Sequence, residues 1–324
     1  MLDNYLEQDA WRIIERGWNP ENQTKSESIF SLGNGRMGQR ANFEEAYSGD
    51  TFLGNYVAGV YYPDKTKVGW WKNGYPEYFA KVLNAVNWIG LRISVEGESL
   101  DLNSVAVSDF YRELNMQHGY LLRTFTATFK NGNTLKIAAK RFLSLVDDEV
   151  GAISYTITPQ NFTGEIIATP YLDFDVKNED SNYEEKFWEE VEKSATSGKA
   201  HVCARTKKLD FHVCAAMRFA VAESGNTLPI NPSFAEKLNY TENTFAFTAE
   251  KGKSYTITKF AAVLSSLNHK VKDLATAANH LAEKALEKGF DKMLAEHAAA
   301  WEAKWNISDI EIDGDVSAQQ GIRF

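Results

Sequence analysis

From Ile89 to Ser266, apolar and polar residues alternate with a period of two. That pattern, sustained over more than half the chain, restricts the segment to strands with one face buried. Leu91-Ile93-Val95 alternates into the turn Glu96-Gly97-Glu98-Ser99. The runs Leu122–Phe129 and Leu135-Ile137-Ala139 flank Lys130-Asn131-Gly132-Asn133, where Asn-Gly supplies the positive φ of a hairpin turn. Further runs lie at Gly151–Thr158, Glu165–Leu172, Ala200–Thr206, Phe211–Val221 and Ser254–Leu264. Many strands joined by short turns, with no helical period between them, predict a mainly β, large antiparallel sandwich.

Two segments depart from this rhythm. Residues Tyr47–Pro76 are rich in Gly, Tyr, Trp and Asn, and a long loop of that composition binds or caps something. Residues Glu179–Glu192 are acidic with Phe187 and Trp188 embedded, which predicts a short amphipathic surface helix in a solvated charge run.

After Ser266 the period changes. Val271, Leu274, Ala278, Leu281 and Ala285 recur at steps of three and four, as on one helix stripe. Gly289 interrupts it, and Phe290, Leu294, His297, Trp301 and Trp305 form a second stripe. We therefore expect a sandwich over residues 1–268, a two-helix linker over 269–306, and at 307–324 the opening of a further domain, whose first helix starts at Ala318–Phe324.

Composition narrows the function classes. The formal charge is −9, from 35 basic and 44 acidic residues, and no basic stripe of the kind that phosphate backbones require is present, so no nucleic-acid partner is expected. No window approaches the ~18 consecutive apolar residues of a membrane span, and the polar start lacks the layout of a secretory signal, so the cytoplasm is the expected location. The two cysteines are too few for a disulfide scaffold.

The candidate chemistry is sparse. His201-x-Cys203 and His212-x-Cys214 lie around the turn Lys207-Lys208-Leu209-Asp210. If Lys208-Leu209 forms the tip, Cys203 faces Cys214 directly. Such a set suits zinc on paper, but mid-strand cysteines are among the most buried residues for packing reasons, and packing is the preferred reading, with no metal expected. Glu44-Glu45 and Asp147-Asp148-Glu149 are adjacent acids that strand alternation would point to opposite faces, so neither makes a facing catalytic pair; both read as turn or strand-end acids. Leu32-Gly33-Asn34-Gly35-Arg36-Met37-Gly38 reads as a tight turn where backbone or ligand approaches closely. The aromatic loop carries the strongest signal: Tyr62, Trp70, Trp71, Asn73 and Tyr75 are candidates for contact with a sugar, whose apolar face and hydroxyl rim match flat rings beside amides, or for the filling of a loop core or interface.

At this point a family resemblance enters. Ser28–Glu45 (SIFSLGNGRMGQRANFEE), Tyr56-Val57-Ala58-Gly59-Val60-Tyr61, Asn84-Ala85-Val86-Asn87-Trp88, Arg112–Met116 with Gly119 and Arg123, and Trp301-x-x-x-Trp305 with Ser308-Asp309-Ile310 and Gly314-Asp315 together resemble glycoside hydrolase family 65 across nearly the whole chain. The resemblance implies an N-terminal super-β-sandwich of the galactose-mutarotase type, a two-helix linker, then an (α/α) barrel and a small C-terminal β domain. It implies an inverting phosphorylase of an α-linked glucose disaccharide, more rarely a hydrolase, with inorganic phosphate as co-substrate rather than a cofactor. It further implies that the barrel holds the general-acid Glu, so that no catalytic residue is expected in this chain. The chain's partners would then be its own barrel and a second copy in a homodimer. A stand-alone carbohydrate-binding module and a purely structural dimerisation domain are the alternatives.

Overall fold

The computed structural model describes residues 5–67 and 74–324. The chain opens with β1 (Leu6–Gln8) and β2 (Arg12–Arg16), then α1 (Gln23–Ile29) and three short strands, β3 (Leu32–Gly33), β4 (Met37–Gln39) and β5 (Asn55–Val57). A hairpin of β6 (Tyr61–Lys65) and β7 (Tyr78–Val82) precedes β8 (Leu91–Val95) and β9 (Glu98–Ser99). The long strands follow: β10 (Ala106–Asn115), β11 (Tyr120–Thr128), β12 (Thr134–Leu143), β13 (Val150–Pro159) and β14 (Gly164–Asp173). Next come β15 (Trp188–Thr196), β16 (Lys199–Thr206), β17 (His212–Glu223), β18 (Asn226–Thr227), β19 (Ser233–Lys237), β20 (Tyr240–Ala249) and β21 (Tyr255–Ser265). The chain closes with α2 (Leu274–Lys288), α3 (Phe290–Ser308) and α4 (Val316–Arg323).

Among the described residues an 11-stranded sheet runs in the order β1-β2-β10-β11-β12-β13-β21-β17-β16-β15, with β18 beside β17. It faces a five-stranded sheet, β19-β20-β14-β8-β9. All strand pairs of both sheets are antiparallel, as the alternation predicts. The turn at Lys130–Asn133 joins β11 to β12 with Gly132 at φ 86°, and Thr128 pairs with Thr134.

The inner face of the large sheet packs Phe125, Ile137, Tyr155, Ile257 and their neighbours against Ile93, Ile166 and Phe247 of the smaller one. The outer face is covered by helix. Leu274, Ala278, Ala282 and Ala285 of α2, with Phe290 and Met293 of α3, cover Phe142, Ala152, Ala216 and Phe260. Most of the predicted stripe positions are thus buried or half-buried against the sheet, but Val271 lies in the short turn before α2 and is exposed, and Ala282 is buried more fully than Leu281. Gly289, at φ 79°, ends α2 and lets α3 start at the next residue.

Three expectations change. Residues 179–187 form an irregular segment and Trp188 begins β15, so no helix forms between Glu179 and Glu192. Phe187 and Trp188 are both buried, and two consecutive residues do not share a helix stripe, whereas a loop end followed by a strand start accommodates both. Cys203 does pair with Cys214 in the β16–β17 register, but the two sulfurs are joined in a disulfide, so they are not a pair of free thiolate ligands. Glu44 and Glu45 are not turn acids on the surface. Both are buried, 2% and 4% exposed, and both bind Arg123.

Candidate sugar-facing surface

The β6–β7 hairpin pairs Tyr62 with Lys81 and Asp64 with Phe79, and, on the opposite face, Tyr61 with Val82 and Lys65 with Tyr78. Tyr62 and Asp64 turn inward and are buried, while Tyr61, Tyr78 and Val82 are exposed, Val82 at 63%. A two-stranded ribbon does not hold such a geometry alone. The acidic segment before β15 supplies the missing contacts. Asp64 Oδ2 accepts the Asn182 amide at 3.0 Å, and Asn182 Nδ2 donates to the Lys65 carbonyl at 2.9 Å. Lys81 Nζ sits 2.9 Å from Asp64 and also donates to the Asp180 carbonyl. Asn178 Nδ2 donates to the Val82 carbonyl at 2.8 Å. Tyr62 stacks on Phe187 at 4.0 Å and donates its hydroxyl to Glu185 at 3.0 Å. Burial and then the Glu185 carboxylate push the Tyr62 phenol above its ordinary value. For Asp64, burial acts upward, but the Asn182 amide and the Lys81 ammonium more than offset it and hold the carboxyl low.

The five candidates separate accordingly. Tyr62 is fully buried and its ring is taken up in packing the hairpin. Tyr75 is 52% exposed, with its ring 6.1 Å from Phe79. Trp70, Trp71 and Asn73 lie outside the described residues.

Beside the hairpin runs a trough made of two hollows of 560 and 350 Å³ that share Tyr56 and Val82 as walls. The larger adds Arg40, Phe52, Lys81 and Asp180, and the smaller adds the backbone of Gly35, Gly38 and Gly59 with Tyr61. Asn34 shapes the glycine turn: its Oδ1 accepts the amides of Arg36 and Met37 at 3.0 and 2.7 Å. The cationic side chains lining the trough all have carboxylate partners: Arg40 with Glu27 at 3.9 Å, Arg36 with Asp148 at 3.3 Å, and Lys81 with Asp64. Burial keeps the Tyr56 phenol above its ordinary value, hence protonated at neutral pH. The surface therefore offers rings, amides and paired charges, a mixture suited to a neutral polyhydroxyl ligand. Arg40, Lys81 and Asp180 were not among the sequence candidates. No periodic signal marks them: Tyr78–Val82, which carries Lys81, does not alternate in sequence or in burial.

Behind the trough lies a buried ionic cluster. Glu15, Arg112, Arg123, Ala139, Tyr155 and Ile257 form one register row across the large sheet. Arg123 Nη2 donates to Glu44 and to Glu45 at 2.6 Å each, Arg141 pairs with Glu44, and Tyr155 donates to Glu45 at 3.3 Å. Burial works against the Glu44 anion, but the guanidiniums of Arg141 and Arg123 hold its carboxyl down to about 2. Glu15 is raised by burial, which its Arg112 neighbour offsets only in part. The acids at Glu44-Glu45 thus secure the N-terminal segment to the sheet. Among the described residues no cluster of three or more His, Cys, Asp or Glu is arranged to hold a metal, and no helix is long and apolar enough to cross a membrane.

Comparison with known proteins bears on all of these residues at once. The glycosyl hydrolase family 65, N-terminal domain model matches residues 13–304. The maltose phosphorylase of Bacillus subtilis (strain 168) is 40% identical over 98% of this chain and 42% of its own length. The alpha,alpha-trehalose phosphorylase of Thermoanaerobacter brockii is 32% identical, again over 98% of this chain and 42% of its own length. A solved structure of a human-microbiome protein, provisionally named a kojibiose phosphorylase, superimposes with a TM-score of 0.87 at 28% identity, covering 98% of this chain and 41% of that one. The chain spans about two fifths of the length of these relatives.

Proposed function

The chain belongs to glycosyl hydrolase family 65, and on that premise we propose that it is the non-catalytic N-terminal portion of an inverting α-glucoside phosphorylase of the maltose phosphorylase type. The observation that carries this reading is the 40% identity to a maltose phosphorylase along 98% of this chain but only 42% of that relative. In this reading the general-acid Glu and the phosphate-binding groups belong to the remaining length. The acid protonates the glycosidic oxygen while inorganic phosphate attacks the anomeric carbon from the opposite face. The sandwich supports that machinery. Its aromatic hairpin, presented by the acidic segment, narrows the sugar site through Tyr75 and the adjoining Trp70, Trp71 and Asn73, and contributes to a dimer interface.

The test is phosphorolysis of maltose by a polypeptide that carries this chain and the remaining length. Trp71→Ala and Tyr75→Ala are expected to raise KM for maltose or to shift the dimer mass, and this chain alone is expected to be inactive. Unchanged KM, kcat and mass in both variants would remove the role of the hairpin.

A second reading, sugar binding by this chain on its own, draws support from the pairing of the trough's cations, which leaves hydrogen-bonding groups without a free positive charge. Calorimetric titration of the chain with maltose distinguishes it, and a flat trace discards it.

A further inference from the structure

The sequence holds three Asn-Gly pairs: Asn34-Gly35, Asn73-Gly74 and Asn131-Gly132. In such a pair the backbone nitrogen of the glycine can attack the asparagine Cγ, because no Cβ on the second residue blocks the approach. Asn34-Gly35 and Asn131-Gly132 lie wholly within the described residues, and the fold treats them oppositely. Asn34 is half-buried and its side-chain polar atoms are all engaged. Its Oδ1 accepts the amides of Arg36 and Met37, and its Nδ2 donates to the Ser144 carbonyl at 2.7 Å and the Asp148 carbonyl at 2.9 Å. The group that would leave as ammonia is therefore held by a second loop.

Asn131 is the reverse case. It is exposed at the tip of the β11–β12 hairpin, in the loop Lys130-Asn131-Gly132, which is closed by the Phe129 amide donating to the Asn133 carbonyl at 2.9 Å. Among the described residues its side chain makes one hydrogen bond, Oδ1 accepting the Asn133 amide at 2.9 Å, and its Nδ2 makes none. Gly132 is also exposed, and the space that a Cβ would fill is open. One contact works the other way: the Gly132 amide donates to the Phe129 carbonyl at 3.0 Å within the turn. That bond, at a solvated loop end, slows loss of the Gly132 proton but does not hold the Asn131 side chain.

We propose that Asn131 is a self-modification site of the native protein, converting with water to aspartate and isoaspartate, while the fold protects Asn34. The Gly132 nitrogen bonds to Asn131 Cγ and gives up its proton, the Cγ–Nδ2 bond breaks, and its electron pair leaves with the nitrogen, which departs as ammonia. Water then adds to one carbonyl of the cyclic imide. Opening at Cγ leaves aspartate. Opening at the main-chain carbonyl leaves isoaspartate, whose chain runs through Cβ and Cγ and whose new carboxylate branches off. No oxidant or reductant takes part. The lengthened main chain no longer matches the turn, which is fixed by the Phe129 and Gly132 amides and by Asn161, whose Nδ2 donates to the Gly132 carbonyl at 2.8 Å. The branched carboxylate is the group that a protein carboxyl methyltransferase esterifies, so the aged turn is a substrate for that class of enzyme.

The test incubates the whole chain at mildly alkaline pH, natively and in urea. Peptide mapping by mass follows each site, and methyl transfer from S-adenosylmethionine identifies isoaspartate in each peptide. Urea supplies the rate of each pair without the fold. In the native protein Asn131 is expected to convert within ~10-fold of its urea rate, and Asn34 at least ~10-fold more slowly than Asn131. Ageing is expected to speed amide exchange across 129–134 in the unsubstituted chain but not in Asn131→Gln, whose longer side chain closes the ring poorly. A native Asn131 rate more than ~10-fold below its urea rate, a native Asn34 rate within ~10-fold of that of Asn131, or equal changes in exchange in the two proteins would each overturn the proposal.

Discussion

Arg123 Nη2 on β11 donates to Glu44 Oε2 at 2.6 Å, across 79 positions of sequence and with both side chains buried. This contact closes the segment after α1 onto the inner face of the large sheet, and Glu45 and Arg141 extend it. Removing one partner leaves a buried charge uncompensated, which costs about 3–5 kcal/mol. Glu44→Gln and Arg123→Met are each expected to lose stability of that order in urea unfolding. Arg123→Lys is expected to rescue little, because an ammonium does not reproduce the forked contact to two carboxylates. Loss below about 1 kcal/mol, the range of exposed pairs, would show that the cluster is solvated.

Acid acts on the same cluster. The Glu44 carboxyl is held at about 2, below its ordinary 4.5, so its contribution is present above 4.5 and fades as pH falls toward about 2. The raised carboxyl of Glu15 has the opposite sign but acts only above 4.5, since below that it is protonated in both states. Stability is therefore expected to drop steeply between about pH 4.5 and 2, and less steeply in Glu44→Gln. Equal slopes in the two proteins, followed by circular dichroism, would refute the assignment.

Gly119 adopts φ 64°, and a methyl group there would overlap the indole of Trp301 on α3. Gly119→Ala combines backbone strain with a steric clash, for an expected loss of about 1–3 kcal/mol. The change should alter tryptophan emission and expose α3 to protease before the sandwich unfolds. Unchanged emission and cleavage would mean that α3 shifts without cost.

Two histidines join helix to sheet as neutral acceptors. His297 Nδ1 accepts the Leu145 amide at 3.0 Å while its Nε2 faces the Gly119 carbonyl at 3.0 Å, and His201 Nδ1 accepts from Asn279. Burial lowers both pKa values below 6.5, so the unfolded chain binds more protons as pH falls through that value, and stability falls with it. Release of α2 and α3 is expected to ease below about pH 6.5. Amide exchange in 274–308 that does not change between pH 7.5 and pH 5.5, once corrected for intrinsic rates, would contradict this.

The residues that carry the family resemblance turn out to serve different ends. Glu44, Glu45, Arg112 and Arg123 build the ionic cluster, Gly119 and Trp301 seat α3, and Tyr56 with Gly35 and Gly59 line the trough. Adjacent acids such as Glu44 and Glu45 look like opposed side chains only on the assumption of a strand. Their segment is irregular, which lets both reach one guanidinium. Tyr62 reads as a sugar contact beside Tyr61, yet pairing with β7 and support from the acidic segment turn it inward.

What the sequence determined by itself is local and periodic. The two-residue alternation gave the strands, the turn at Lys207–Asp210 set Cys203 against Cys214, and the three-and-four spacing gave α2 and α3, because each of these depends on neighbours a few positions away. The tertiary structure decided the rest: which acids are buried, which ring of the hairpin faces out, and that 188–196 is a strand rather than a helix. Those outcomes depend on partners more than 100 positions apart, as for Tyr62 and Glu185 at 123, and on burial that makes an ion pair or a hydrogen bond obligatory.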